Sequence, residues 1–198
     1  LSSAASDVYK RQGLVREAMR LTGIESGVEI TTIADIPGRG TGLGSSSSVT
    51  VGLLNAMHSF QGRKTSKQQL AEEACKIEIE IMGAPIGRQD QYAASFGGIN
   101  SISFGEGGVA VEPIEIENDL LSRVSRNFTL VFTGMTRSAS EVLSEESEDE
   151  LDKSNRMRVI REHADKAAIM FQNGDLDSIG DLLNETWNAK RGISSLIT

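Results

Sequence analysis

The sequence predicts an α+β protein in which strands and helices come in separate runs rather than in strict alternation. Three observations carry this. A β-branched segment feeds a glycine-rich loop and then a helix, two strand-like stretches flank a glycine turn, and the C-terminal part reads as two helices.

Taken in order, Leu1 to Gln12 (LSSAASDVYKRQ) has no initiator methionine and is rich in small polar residues, so it reads as a non-native leader, 1–12, and is set aside. Leu14 to Leu21 has helical spacing, and Val28 to Ile36 is β-branched with alternating polarity, ending at Pro37 as a strand would. A helix is expected from Ser45 or Ser46 to near Gly62, because Val49, Leu53, Ala56, Met57 and Phe60 recur every three or four residues. A second follows Thr65 and Ser66, with Gln69 in the position of a capping-box partner, and runs to about Met82 before Gly83 and Pro85. Gly87 to Gly98 is expected to be a loop and a short helical turn.

Ile99 to Phe104 and Val109 to Ile116 read as a hairpin around GEGG, and Phe128 to Phe132 as a further strand. Beyond the acidic stretch Glu141 to Asp152, which reads as a solvated surface, two helices between Ser154 and about Gly192 are separated by Asn173, Gly174 and Asp175. Asn173-Gly174 is the stop and Asp175 the next N-cap. The closing GISSLIT has no terminating element, so the chain reads as truncated at both ends. A boundary near Ser125 gives an N-terminal domain over 13–125 and a C-terminal domain over 126–198.

Composition limits the function. An apolar share of 38% with 24% charged residues is ordinary for a globular protein with a core. Twenty Lys and Arg against twenty-eight Asp and Glu leave a net charge of −8, which argues against a nucleic-acid or anionic-membrane surface. Cys75 is the single cysteine, so neither an intramolecular disulfide nor a cysteine-based metal cluster can form, and a reducing cytoplasm fits. No run approaches the roughly eighteen apolar residues of a membrane helix. Oligomeric state is not written in the sequence.

Chemistry concentrates in three places. In Pro37 to Ser48 (PGRGTGLGSSSS), Gly38, Gly40, Gly42 and Gly44 leave backbone N–H groups uncovered just before a helix start, and Arg39 adds positive charge; physically this is an anion site. Its serines can cap the helix, bind phosphate oxygens or ligate Mg²⁺. A P-loop would need Gly-Lys-Ser/Thr, and a Rossmann loop needs GxGxxG with an acidic residue about twenty positions on; neither pattern is met. Glu78 falls inside the apolar arc of its helix, among Leu70, Ala71, Ala74, Cys75, Ile77, Ile81 and Met82, as a buried salt bridge or a Mg²⁺ ligand would. Asp90, two residues after Arg88, suits either a turn cap or a group that accepts a hydroxyl proton during phosphoryl transfer. Among the hydroxyls of TGMTRSAS, Arg137 can take a sugar phosphate or cap the next helix, and the isolated His58 and His163 suggest no zinc site.

Together these segments resemble the GHMP kinases, whose Pro-x-x-x-Gly-Leu-Gly-Ser-Ser motif is matched by Gly42-Leu43-Gly44-Ser45-Ser46 after Pro37, with a slightly longer lead-in. The resemblance implies a ribosomal-protein-S5-like N-terminal domain and a ferredoxin-like C-terminal domain with ATP between them. It implies that Pro37, Gly38, Arg39, Gly40, Gly42, Leu43, Gly44, Ser45, Ser46, Ser47 and Ser48 hold the ATP phosphates. Ser45, Ser46 and Glu78 would ligate Mg²⁺, Asp90 would be the catalytic base with Arg88 beside it, and Gln89, Tyr92, Arg137 and Ser138 would meet the sugar. More narrowly, AEEACKIEIEIMGAPIGRQDQYAASFGGIN and FTGMTRSAS are similar to family members that phosphorylate the anomeric hydroxyl of a heptose 7-phosphate.

Overall fold

The computed structural model describes residues 3–33, 42–131 and 150–193. The elements are α1 (Ser3–Thr22), α2 (Ser45–Phe60), α3 (Lys67–Cys75) with a π-helical continuation (Lys76–Ile81), α4 (Gln89–Phe96), β1 (Asn100–Gly105) and β2 (Gly108–Pro113). After them come α5 (Asn118–Asn127), α6 (Glu150–Asn173) and α7 (Leu176–Arg191). By packing, described residues up to 97 form one unit and those from 98 onward another. The packing boundary therefore lies at the Gly97-Gly98 pair; Ser125, the expected boundary, sits within α5. Helix α1 begins at Ser3, so the segment expected to be a leader is largely helical.

The first unit is built on α1, α2 and α3. Leu14 and Ala18 of α1, Val51, Leu53, Leu54 and Met57 of α2, and Leu70, Ala74 and Ile77 of α3 and its continuation share one core with Ile24. Leu54 and Ile77 are fully buried, each contributing about 1.5–3 kcal/mol relative to an exposed side chain. Of the recurring positions of α2, Ala56 and Phe60 are exposed, Phe60 to 70% at the last residue of the helix. Helix α3 starts as the sequence indicates: Ser66 Oγ accepts from Gln69 N–H at 3.1 Å. The Gln69 amide, however, donates to Glu73 Oε1 at 2.8 Å, which leaves the capping box half made. Ser66→Ala is expected to destabilise the protein by about 1 kcal/mol, read from chemical denaturation.

The π-helical stretch is where phase departs from expectation. Met82 N–H bonds to Ile77 C=O at 3.0 Å, a spacing of five residues rather than four. Leu70, Ala71, Ala74, Cys75, Ile77 and Glu78 are buried as the helical arc predicts, but Ile81 and Met82 turn outward, 46% and 41% exposed. Gly83 (φ 65°) then closes the helix, and Ala84 N–H reaches back to Glu78 C=O at 3.0 Å.

In the second unit, β1 and β2 pair antiparallel with Ile102 opposite Val111 and Gly105 opposite Gly108, around the two-residue loop Glu106-Gly107. Helices α6 and α7 form the expected helical hairpin: Asp175 N–H bonds to Met170 C=O at 3.0 Å, and the Asp175 carboxylate caps α7 by accepting from Ser178 N–H at 3.2 Å. Leu176, Ile179 and Leu182 are the buried face of α7, and Phe128 stacks on Phe171 with ring centroids 6.4 Å apart.

The described parts of two expected strands do not form one. Residues 28–33 and 128–131 carry no regular structure, and Ile33, Leu130 and Val131 are 91%, 76% and 71% exposed. A strand is defined by its neighbour, and among the described residues neither segment pairs with another strand, so β propensity alone does not build a ladder. The remaining parts of these segments, residues 34–36 and 132, lie outside the described residues. No helix among the described residues is long and apolar enough to cross a membrane.

Candidate functional site

The site grows from the start of α2. Gly44 occupies the N-cap position in a left-handed conformation (φ 64°, ψ 28°) and its carbonyl accepts the helix's first bond from Ser48 N–H at 2.9 Å. A helix start leaves its first N–H groups without intrahelical acceptors and presents the positive end of the dipole, which favours an anion. Leu43 beside it is exposed.

Helix α4 brings a carboxylate to this point. Gln89 to Phe96 form a full short helix, not the loop and turn expected, with Asp90 in its first turn. A β-carbon placed on Gly44 would come within 3.1 Å of Asp90 Cγ and 3.4 Å of its Oδ2. Glycine thus serves Gly44 twice, by tolerating a positive φ and by letting the Asp90 carboxylate lie against the backbone.

Behind this contact lies a buried polar knot. Glu78 is 3% exposed, and its Oε2 accepts from Ser47 Oγ at 2.8 Å and from Gln91 Nε2 at 2.5 Å. Ser47 and Gln91 are themselves buried at 1% and 0%. The inward Glu78 of the helical arc therefore meets hydrogen-bond donors, not a cation, on this oxygen. Glu78 was paired in expectation with Ser45 or Ser46; the hydroxyl that reaches its carboxylate is that of Ser47, one turn ahead of Thr50 and Val51 on the inward face of α2.

The remaining expected residues are distributed as follows. Arg88 is exposed at the N-cap of α4, and the Gln89 amide folds over Gly87. Tyr92 is buried, stacked on Phe96 with centroids 6.3 Å apart and accepting from Gln68 Nε2 at 3.2 Å; burial raises its hydroxyl pKa above the ordinary value. Ser45 is half-buried, while Ser46 and Ser48 are exposed. Pro37, Gly38, Arg39, Gly40, Arg137 and Ser138 lie outside the described residues. Gln91 was absent from the expected set. Its signal was available, since an amide adjacent to Tyr92 on the inward side stands out once the segment is read as helix.

Burial pushes the Cys75 thiol from its ordinary 9.0 up to about 11, against the lowering pull of Arg88 and with help from Glu78, Glu72 and Glu80. At pH 9 about one native thiol in a hundred is then ionised, against about one in two in the unfolded chain. Alkylation of the native protein should stay slow at that pH and become fast in denaturant; a fast native reaction would contradict the burial. Stability linked to this group is complete below pH 9 and declines toward pH 11, because the unfolded chain releases the proton first. His58, buried against Glu73 with Nε2 2.7 Å from Oε2, ties α2 to α3 and takes no part in the knot.

With this geometry in hand, residues 7–98 match the model of the GHMP kinases N terminal domain, a match that begins inside the segment expected to be a leader. The chain is 33% identical over 171 residues to the D-glycero-alpha-D-manno-heptose 7-phosphate kinase of Campylobacter jejuni, covering 84% of this chain and 50% of that protein. It is 28% identical over 188 residues to a bifunctional fucokinase/GDP-fucose pyrophosphorylase of Arabidopsis thaliana, covering 88% of this chain and 18% of that one. A solved D-glycero-D-manno-heptose 1-phosphate kinase from Bacteroides thetaiotaomicron shares the fold, with a TM-score of 0.69 at 24% identity over 90% of this chain and 55% of the other. Residues 7–98 are thus similar to the GHMP kinases N terminal domain, and most of the chain is similar to sugar kinases. The chain spans about half the length of the Campylobacter relative and 55% of the solved one.

Proposed function

We propose that the protein transfers the γ-phosphoryl group of ATP to the anomeric hydroxyl of a sugar phosphate, with D-glycero-D-manno-heptose 7-phosphate as substrate and the 1,7-bisphosphate as product. The observation that carries this reading is the Asp90 carboxylate lying against Gly44 at the start of α2. It sets a proton acceptor beside an anion-binding helix terminus, which is the pairing that phosphoryl transfer to an alcohol needs.

In this reading the loop from Pro37 to Ser48 surrounds the phosphates, and Asp90 takes the proton of the C1 hydroxyl as its oxygen attacks the γ-phosphorus. The bond to the bridging oxygen breaks and ADP leaves. Arg88 offsets charge on the transferring group, and Gln89, Tyr92, Arg137 and Ser138 are assigned to the sugar side, although Tyr92 also serves the packing of α4. Among the described residues no three His, Cys, Asp or Glu side chains cluster as a metal cage. One carboxylate and nearby serine hydroxyls nevertheless fit Mg²⁺, which is usually held by one or two carboxylates plus substrate phosphates. Glu78, Ser45 and Ser46 would hold it, with Ser47 bonded to the Glu78 carboxylate. When bound, Mg²⁺ neutralises charge on the phosphates. A ribosomal-protein-S5-like N-terminal domain, a ferredoxin-like C-terminal domain and a cytoplasmic location belong to the same proposal.

The fucokinase similarities favour one alternative within the family, a kinase for fucose, galactose or another nonphosphorylated sugar. A noncatalytic sugar-phosphate or nucleotide binder is the other. The test is a substrate panel with the full-length protein, ATP and Mg²⁺. Turnover of heptose 7-phosphate at least about tenfold above fucose and galactose supports the proposal, on the scale by which one missing contact discriminates substrates. Preference for the free sugars moves the reading to the alternative, and ligand binding without ADP release rejects catalysis.

A further inference from the structure

Gln91 is fully buried, yet only one half of its amide is used. Nε2 donates to Glu78 Oε2 at 2.5 Å, whereas Oε1 is buried without a hydrogen-bond donor among the described residues. Rotating the amide would not relieve this, because it would press a carbonyl oxygen onto a carboxylate oxygen. A methionine would fill nearly the same volume without stranding an acceptor, and a stranded buried acceptor is unfavourable. The amide is therefore explained by what its N–H does for Glu78, not by packing.

Ser47 Oγ donates to the same oxygen from a different helix. Two neutral donors from α2 and α4 occupy Oε2 and leave Oε1 as the oxygen open to a cation. The Glu78 main chain is fixed as well, in the π-helical stretch with its carbonyl bonded by Ala84 N–H. Gln91 also directly follows Asp90, so one turn of α4 carries both the contact with Glu78 and the contact with Gly44.

We propose that Gln91 is a positioning residue: with Ser47 it holds Oε2 of Glu78, so that the carboxylate keeps one orientation toward a magnesium–nucleotide complex at the start of α2. This rests on the kinase reading above. The residues that orient a metal-binding carboxylate typically change metal affinity about 10–100-fold when lost.

The test is Gln91→Met in the full chain, read by Mn²⁺ binding in the presence of ADP, by ADP binding without metal, and by thermal unfolding. The expected result is metal affinity lower by about tenfold or more, metal-free ADP affinity unchanged, and an unfolding midpoint that is level or raised. In a Glu78→Gln background the same substitution should have no further effect on metal binding. Unchanged metal affinity, or an equal further loss in that background, would overturn the positioning role while leaving the kinase reading intact. Should the parent chain itself show no metal dependence of ADP binding, both fall together. If Gln91→Met does not fold, Gln91→Asn keeps the polarity but withdraws the N–H, and must weaken metal binding in the same way for the proposal to stand.

Discussion

Asp90→Asn should lower turnover by about 10² or more, the size of a general-base contribution, while ATP binding stays close to that of the parent. The amide keeps the shape that packs against Gly44 but cannot accept the hydroxyl proton. Steady-state kinetics and equilibrium nucleotide binding measured on the same preparation separate the two effects. Near-normal turnover would remove Asp90 from the role of base, and a parallel collapse of ATP binding would make it a structural cap of α4 instead.

Gly44→Ala should also lower turnover, for a different reason. At φ 64° an alanine is strained by roughly 1–2 kcal/mol, and its β-carbon would sit 3.1 Å from Asp90 Cγ, so the carboxylate must give way. The contact asks the carboxylate to shift by a few tenths of an ångström, so the loss of rate stays below the about 10²-fold that a 1 Å misplacement costs. The expected outcome is a modest fall in the unfolding midpoint together with a fall in turnover. A loss of stability with turnover unchanged would show that the carboxylate works equally well without its seat on the glycine backbone.

The parts of this protein that are closed within short stretches of chain were legible in its sequence. The Ser66 cap, the hairpin around Glu106-Gly107 and the break at Asn173-Gly174-Asp175 each depend on residues a few positions apart, and each formed as read. The inward-facing Glu78 was legible for the same reason, since helical phase is local information. What needed distant neighbours was not. Val28 to Ile33 and Phe128 to Val131 have the composition of strands, but a ladder requires a second chain segment, and propensity says nothing about where that segment is. The packing division at Gly97-Gly98 is not legible locally, because two glycines mark a turn equally well inside a packing unit or between two. Ser47 and Gln91 were readable in part: each lies on the inward face of its own helix, but that they meet on a single oxygen of Glu78 is a tertiary fact.

The π-helical turn between Lys76 and Ile81 makes the length of this helix a variable with chemical meaning. A helix with one residue too many must either bulge or rotate everything downstream of it, and here the surplus is absorbed within the very turn that carries Glu78. Upstream residues remain in register with α2, while Ile81 and Met82 leave the core without drawing the carboxylate after them. Loss of one residue from this stretch, ordinarily ruinous in a packed helix, would here restore regular α geometry and re-aim the side chains that follow. One codon fewer would then redirect the side chains beyond Glu78 while the register upstream of it is kept.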